Sequence, residues 1–300
     1  LKFAAIDIGS NAARIQVSKV IGYPDHFKFK KLEYVRFPLR LGEDVFRNHD
    51  NRIGQAREKK FMELMEIFRL LLNLYEVDDY LAVATSAMRE APNGEKITEN
   101  IRSRFNINLE VISGAREAEI INEALVNFLD KEPHLHVDVG GGSTELNVYV
   151  AGDKVAAESF MVGSVRNRNV PARWEQMQEW VKQYVKKEHG KVKVIGTGGN
   201  ITKLYDLADR KIGKNLSVYK IKEIRNYVNS HTMEERINKL MLNPDRADVI
   251  VPASDIYLHV MQWVQATKIL VPDVGLKDGI LTLLLNKHRE TLNRMYTDEE

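Results

Sequence analysis

Two aspartates in this chain close apolar runs and are followed at once by small residues. Asp7 ends Phe3-Ala4-Ala5-Ile6 and leads into Ile8-Gly9-Ser10-Asn11. Asp138 ends Leu135-His136-Val137 and leads into Val139-Gly140-Gly141-Gly142-Ser143-Thr144-Glu145. Glycine has no Cβ, so the backbone N–H groups of such turns can close around an anion. A carboxylate at the mouth of the turn can hold a divalent cation, usually through water, while the N–H groups take phosphate oxygens. An aspartate that merely caps a tight turn is just as common, so neither segment alone is decisive. Occurring twice in matched contexts, they point to phosphoryl chemistry on two related lobes.

The second turn is the more specific. Three consecutive glycines carry a backbone-entropy cost that a bare hairpin does not need. Ser143 and Thr144 add hydroxyl donors there, and Glu145 is a second carboxylate that could lie near Asp138. A third turn, Gly196-Thr197-Gly198-Gly199-Asn200, stands between a strand-like and a helix-like run. An anion there would meet the positive end of a helix dipole. Arg89 follows another strand end, where it can bind phosphate bidentately or sit in a surface ion pair, the commoner local outcome. Ser113-Gly114-Ala115-Arg116-Glu117-Ala118-Glu119 opens a helix. A glutamate in a first turn is usually a dipole partner, yet one between phosphate-holding turns could deprotonate water, and spacing alone does not choose between Glu117 and Glu119. The histidines show no paired ligand spacing, and the lysines at 182, 186, 187, 191 and 193 read first as a solvated helix face.

The bulk of the chain narrows the class. Three hundred residues suffice for two domains, and 44% hydrophobic with 29% charged residues describes a soluble globular protein. No apolar run approaches the ~20 residues of a membrane span. Absence of cysteine excludes disulfides, thiolate catalysis and cysteine-bound zinc, and fits a reducing cytoplasm. A formal charge of +2 creates no demand for nucleic acid or an acidic membrane, so neither is expected as a partner. The residues given begin directly on a strand-like run, with no secretory signal.

Periodicity supplies the elements that must position these residues. Strands are predicted from Phe3 to Ile8, Ala13 to Val20 and Lys28 to Leu39, then a loop from Gly42 to Gly54. Phe61, Leu64, Met65, Phe68, Leu71 and Leu72 recur at helical spacing within 55–75. A strand from Tyr80 to Thr85, a helix from Ile97 to Phe105, a strand from Leu109 to Ile112 and a helix from Ala115 to Phe128 follow. The pattern restarts at Leu135 with strands to Val139, from Glu145 to Val150 and from Lys154 to Val162. A helix from Trp174 to Glu188, a strand from Val192 to Ile195, a helix to Asp209 and a last helix from Gly279 to Asn293 complete it. Three antiparallel strands and then alternating helices and strands, twice over, predict an α/β fold of duplicated ribonuclease-H-like domains with an interdomain cleft. This is the arrangement of the actin, sugar-kinase and chaperone-ATPase superfamily. The expected lobes are 1–121 with about 285–300, and 122–284.

In order along nearly its whole length the chain resembles the exopolyphosphatase / guanosine pentaphosphate phosphohydrolase (Ppx/GppA) family. The likeness runs through Asp7–Arg14, Thr85–Ala91, Ile112–Ala118, Val137–Leu146, Gly163–Arg166, Gly196–Asn200 and Ala247–Leu281. The resemblance implies magnesium-dependent release of terminal phosphate from inorganic polyphosphate, or of the 5′ γ-phosphate from guanosine pentaphosphate (pppGpp), with manganese as an alternative ion. It implies Glu117 as the catalytic base, since Ser113-Gly114-Ala115-Arg116-Glu117 keeps the family's Ser-Gly-x-x-Glu spacing. Asp7, Asp138 and Glu145 become the metal-side carboxylates. Ser10, Asn11, Arg89, Gly141, Gly142, Ser143, Thr144, Gly198 and Gly199 become the phosphate contacts. Homodimers occur in the family, and a non-catalytic polyphosphate or alarmone sensor is the rival reading from another class. Departures are Ala12 in place of the usual serine, Arg116 where a glutamate pair is usual, and Asn167-Arg168-Asn169 after Arg166. The residues given also lack the C-terminal helical domains of long members.

Overall fold

The strand nearest the N-terminus is buried on both faces, which explains its unbroken apolar sequence. In the computed structural model, which describes residues 1–24, 26–166, 170–185, 191–208 and 214–297, Phe3 to Ile8 are all at most 7% exposed. This strand, β1 (Lys2–Ile8), pairs antiparallel with β2 (Ala13–Ile21), which pairs antiparallel with β3 (Lys28–Phe37). Then come α1 (Leu41–Arg47), α2 (Gln55–Leu74), β4 (Asp79–Ala84), α3 (Ser86–Glu90), α4 (Gly94–Phe105), β5 (Leu109–Val111) and α5 (Gly114–Leu125). β4 lies parallel to β1, and β5 parallel to β4, giving the sheet order β3-β2-β1-β4-β5. Phe61, Leu64, Met65, Phe68 and Leu72 form the buried stripe of α2, sharing a core with Ala4, Ile6, Ile15 and Val17.

The second sheet repeats the plan. It contains β6 (His134–Val139), β7 (Thr144–Val150), β8 (Asp153–Phe160), β9 (Lys193–Thr197), β10 (Asn215–Ser217) and β11 (Lys268–Leu270). Its order from the meander outward is β8-β7-β6-β9-β11, with β10 added antiparallel at the edge. Both sheets therefore start third, second, first, fourth, and the duplication expected from the sequence is present; the second sheet then adds its sixth strand, β11, with its fifth, β10, outermost. The helices here are α6 (Pro171–Tyr184), α7 (Gly199–Leu207), α8 (Val218–Asn229), α9 (Met233–Asn238), α10 (Pro244–Ala247) and α11 (Ile250–Trp263). One sheet face, with Leu135, Val137, Leu146 and Val148, joins a core with Ile256, Tyr257 and Val260 of α11. The opposite face carries His136, Asp138, Glu145 and Asn147.

By contacts the chain divides into unit 1, Leu1–Ala124 with everything from Leu276 onward, and unit 2, Leu125–Gly275. The chain re-enters unit 1 earlier than the expected position near 285, because α12 (Leu276–Lys287) packs on β1 and β4. The expected single last helix is broken after Lys287 and continues as α13 (Arg289–Thr297). At the break, His288 reaches the Asp79 carboxylate at 2.7 Å. The loop expected from Gly42 to Gly54 contains a helix, α1: Arg40, Arg47 and Arg57 converge on Glu43 and stabilise a turn that the Asn- and Asp-rich segment after it hides. The helix expected to Phe128 gives way to a 3₁₀ turn over Val126–Phe128. Asp25, Asn167, Arg168, Asn169, Lys186, Lys187, Glu188 and Asp209 lie outside the described residues. Lys193 is committed to Asp130 and Glu132 rather than to an open basic track. Among the described residues no helix is long and apolar enough to cross a membrane.

Candidate active site

In unit 1 the candidate residues gather at one edge, because Ile8, Ala84 and Val111 stand in register where β1, β4 and β5 end. The connections leaving that edge carry Ser10 and Asn11, Arg89, and Glu117. Ser10 is buried; its hydroxyl shares a hydrogen bond of 2.8 Å with Ser86, the first residue of α3. The first turn is held from behind, where the Gly42 and Arg40 amides donate to the Ser10 and Asn11 carbonyls at 2.7 and 2.9 Å. Arg89 lies in α3, a short helix rather than the expected turn, and its Nη1 donates to the Ile112 carbonyl at 2.7 Å. That bond ties α3 to the start of α5. Glu117, in the first turn of α5, is half-buried, whereas Glu119 is exposed and paired with Arg116 at 3.0 Å. Asp7 is 7% exposed and accepts from Arg14 Nη1 at 2.6 Å, so it faces a guanidinium across the β1–β2 pair.

In unit 2 the two remaining turns sit side by side where β6 and β9 end. Residues 163–166 clamp the glycine triplet through its carbonyls. Ser164 and Val165 N–H donate to Gly140 and Gly141 at 3.0 and 2.8 Å, and Arg166 Nε donates to Gly142 at 2.6 Å. Gly163 must lack a side chain, because a Cβ there would stand 2.4 Å from the Gly141 carbonyl oxygen. With the carbonyls taken, the N–H groups of Gly141, Gly142 and Ser143 make no hydrogen bond among the described residues. Consecutive uncommitted amides in a glycine turn form an anion nest. Gly196 and Thr197 belong to β9 rather than to the third turn, which begins at Gly198 (φ 98°). From Gly199 onward the first N–H groups of α7 have no partner within the helix. Arg246 of α10 covers this turn; its Nη1 donates to Asn200 Oδ1 at 2.8 Å, and a Cβ on Gly199 would collide with its guanidinium.

The carboxylates of unit 2 are neighbours. Asp138 pairs with Glu145 across β6 and β7, and with Thr197 across β6 and β9. Thr197 Oγ1 donates to Asp138 Oδ2 at 2.8 Å, and Ser159 Oγ donates to Glu145 Oε1 at 2.9 Å. His136 extends the same row: Nε2 lies 2.8 Å from Thr197 Oγ1 and Nδ1 lies 3.0 Å from Asn147 Nδ2. Burial pushes its pKa down to about 3, so the ring is neutral. Tyr257 of α11 is also buried, donates to the Thr197 carbonyl and accepts from the Val139 N–H at 3.3 Å. It thereby joins the two strand ends below the turns. Burial, and then the charges of Asp138 and Glu145, push its pKa well above the ordinary phenol value.

A family model described as the Ppx/GppA phosphatase family matches residues 20–288. The chain belongs to that family. A bifunctional 3-dehydroquinate synthase/phosphatase of Fusobacterium nucleatum is 24% identical to it over 309 residues, covering 90% of this chain and 44% of that protein. The chain thus spans less than half the length of that relative. Among solved structures, an exopolyphosphatase from Cytophaga hutchinsonii superposes with a TM-score of 0.81 at 23% identity, covering 96% of this chain and 98% of that one. The Aquifex aeolicus Ppx/GppA family member gives a TM-score of 0.74 at 24% identity, covering 96% and 98%. These two likenesses establish the shared fold.

Set in a Ppx/GppA chain, the geometry brings Ser10, Asn11, Arg89 and Glu117 to one strand edge of unit 1. It brings Asp138, Glu145, Gly141–Thr144 and Gly198–Gly199 to one edge of unit 2. Within unit 1, Asp7 is paired with the Arg14 guanidinium. Among the described residues no group of three or more His, Asp and Glu side chains is placed to hold a metal. Asp138 and Glu145 nonetheless suit magnesium, which is commonly held by one or two carboxylates, several waters and substrate phosphates. Sequence reasoning missed Arg14, His136, Thr197, Arg246 and Tyr257 as members of these surroundings. For His136 a signal existed: it stands two residues before Asp138 on the same strand face, in an alternation of His134, His136 and Asp138 with Leu135, Val137 and Val139.

Proposed function

We propose that this chain is a phosphohydrolase that releases orthophosphate from the end of inorganic polyphosphate. Beyond family membership, one observation carries the reading: the Gly141–Ser143 amides are uncommitted in a turn whose carbonyls are clamped, beside the N-terminus of α7. Such a surface suits successive anionic phosphates and has no evident use in a merely structural hairpin. In this reading the Gly141–Thr144 and Gly198–Gly199 turns and the Ser10–Asn11 turn hold phosphoryl oxygens, and Arg89 adds positive charge. Glu117 takes the proton of an attacking water. The new P–O bond forms as the bond to the bridging oxygen breaks, and the leaving chain is shorter by one phosphate. Magnesium, or manganese in its place, supplies neutralisation of phosphoryl charge when bound, and Asp138 and Glu145 are the residues that would hold it. Asp7, already paired with Arg14, holds that guanidinium in place in this reading. The cytoplasm is the compartment the reading favours, on the support of a chain without cysteine.

The test is phosphate release measured side by side on short polyphosphate, long polyphosphate and pppGpp, with and without magnesium. Polyphosphate should give the highest initial rate, and addition of a chelator should remove it. Glu117→Gln should bind substrate nearly as well and turn over about 10²–10⁴-fold more slowly. Wild-type turnover in that variant would end the assignment of Glu117. Faster release from pppGpp would move the substrate to the nucleotide. Binding of polyphosphate without any phosphate release would favour the sensor reading.

A further inference from the structure

Four side chains beside the second and third turns form a hydrogen-bonded chain with only one consistent direction. They are Asn147, His136, Thr197 and Asp138, placed on one face of the sheet by the pairing of His136 with Asn147 and of Asp138 with Thr197. Thr197 has a single hydroxyl proton, and it is given to Asp138 Oδ2 at 2.8 Å. Thr197 Oγ1 can therefore only accept from His136, so the ring proton sits on Nε2. A neutral ring protonated there has a bare Nδ1, which accepts from the Asn147 amide at 3.0 Å. The chain starts at an amide that donates and ends at a carboxylate that accepts. On the other side of Asp138, Oδ1 stands over Gly198, where a Cβ would come within 2.7 Å.

We propose that His136 is a positioning residue that sets the orientation of the Asp138 carboxylate through the Thr197 hydroxyl. The inference rests on the role given to Asp138 above. A fully buried imidazole is a costly way to fill space in a strand where valine or leucine would pack, unless its polar atoms are used. Here both ring nitrogens are used, and the only charged group at the end of the chain is Asp138. Turning the carboxylate away would leave the Thr197 proton without its acceptor, and the hydroxyl cannot re-aim that proton at His136, whose Nε2 is itself a donor. The row therefore resists rotation of Asp138 more strongly than one hydroxyl could.

The test combines kinetics with ¹⁵N-histidine NMR on the full chain. His136→Phe and Thr197→Val should each lower kcat for phosphate release by about tenfold or more, as removal of an outer support commonly does, with KM changed by less than about twofold. Thr197→Ser keeps the hydroxyl and should recover most of the kcat. The double variant should be no slower than the slower single variant, since both cut the same row. The NMR spectrum should show one buried histidine in the Nε2–H form, and Thr197→Val should shift that signal. Wild-type kcat in either variant, losses that multiply in the double variant, or an Nδ1–H form of the ring whose signal is lost in His136→Phe would overturn the inference. If the wild-type protein releases phosphate from none of the substrates, the proposed function falls. The tautomer and its response to Thr197→Val then decide this inference alone.

Discussion

Glu117 and Glu119 are the same residue type two positions apart, and their surroundings differ. Arg116 draws Glu119 into an exposed pair three residues along the helix, while Glu117 is half-buried at the start of α5. An exposed pair of that kind contributes about 0.3–0.5 kcal/mol, so Glu119→Gln should leave both stability and phosphate release close to wild type. Urea unfolding and the release assay check this, and a large loss of activity in Glu119→Gln would exchange the roles of the two glutamates. His136 makes a different prediction. Its pKa, about 3 in the folded chain against an ordinary 6.5, means that the unfolded chain binds the extra proton throughout that interval. Stability rises with pH wherever the unfolded state holds more protons, so this residue makes the fold weaker as pH drops from about 6.5 toward 3. Thermal melts across that range should fall for wild type and fall less steeply for His136→Phe.

The β9–α7 turn is an element whose geometry has been narrowed to one residue type. Gly198 has a φ of 98° and sits against Asp138 Oδ1. Gly198→Ala combines a left-handed backbone with a 2.7 Å approach to that oxygen, so a loss of about 1–3 kcal/mol is expected, together with reduced phosphate release. Gly152 is the contrasting case, with φ 91° but nothing within 4 Å of a Cβ, so Gly152→Ala should cost stability without cost to activity. Denaturant midpoints and initial rates separate the two effects. The α12–α13 break also belongs at this scale. Apolar periodicity ran through it, because the interruption comes from Asp79, 209 residues away in sequence from His288 and held there at 2.7 Å. Local sequence carries no record of such a partner. The helix α1 was hidden for a related reason: its stabilising arginines include Arg57, which lies beyond the next loop.

At the scale of the whole molecule the two units differ in how the chain builds them. Unit 2 is continuous, Leu125–Gly275, with a core of its own. Unit 1 is closed only when α12 returns to cover β1 and β4. A fragment of residues 125–275 should therefore unfold cooperatively by circular dichroism, whereas residues 1–124 alone should not. A cooperative transition in the 1–124 fragment would show that α12 is dispensable for that core.

The duplication, the three glycine turns and the carboxylates before two of them could be read from the sequence alone. Each rests on interactions within a few residues: alternation within a strand, helical spacing, and the conformational freedom of glycine. Nearby residues likewise offered Arg89 and both Glu117 and Glu119 as candidates, and the family resemblance chose Glu117. Tertiary structure alone decided that Arg14 neutralises Asp7, that Arg246 stands over the third turn, and that His136 and Thr197 support Asp138. Those partners meet across strand registers or from helices dozens of residues away, and register is set by the packing of whole sheet faces. A charge or hydroxyl acquires its role there from which neighbour the fold supplies.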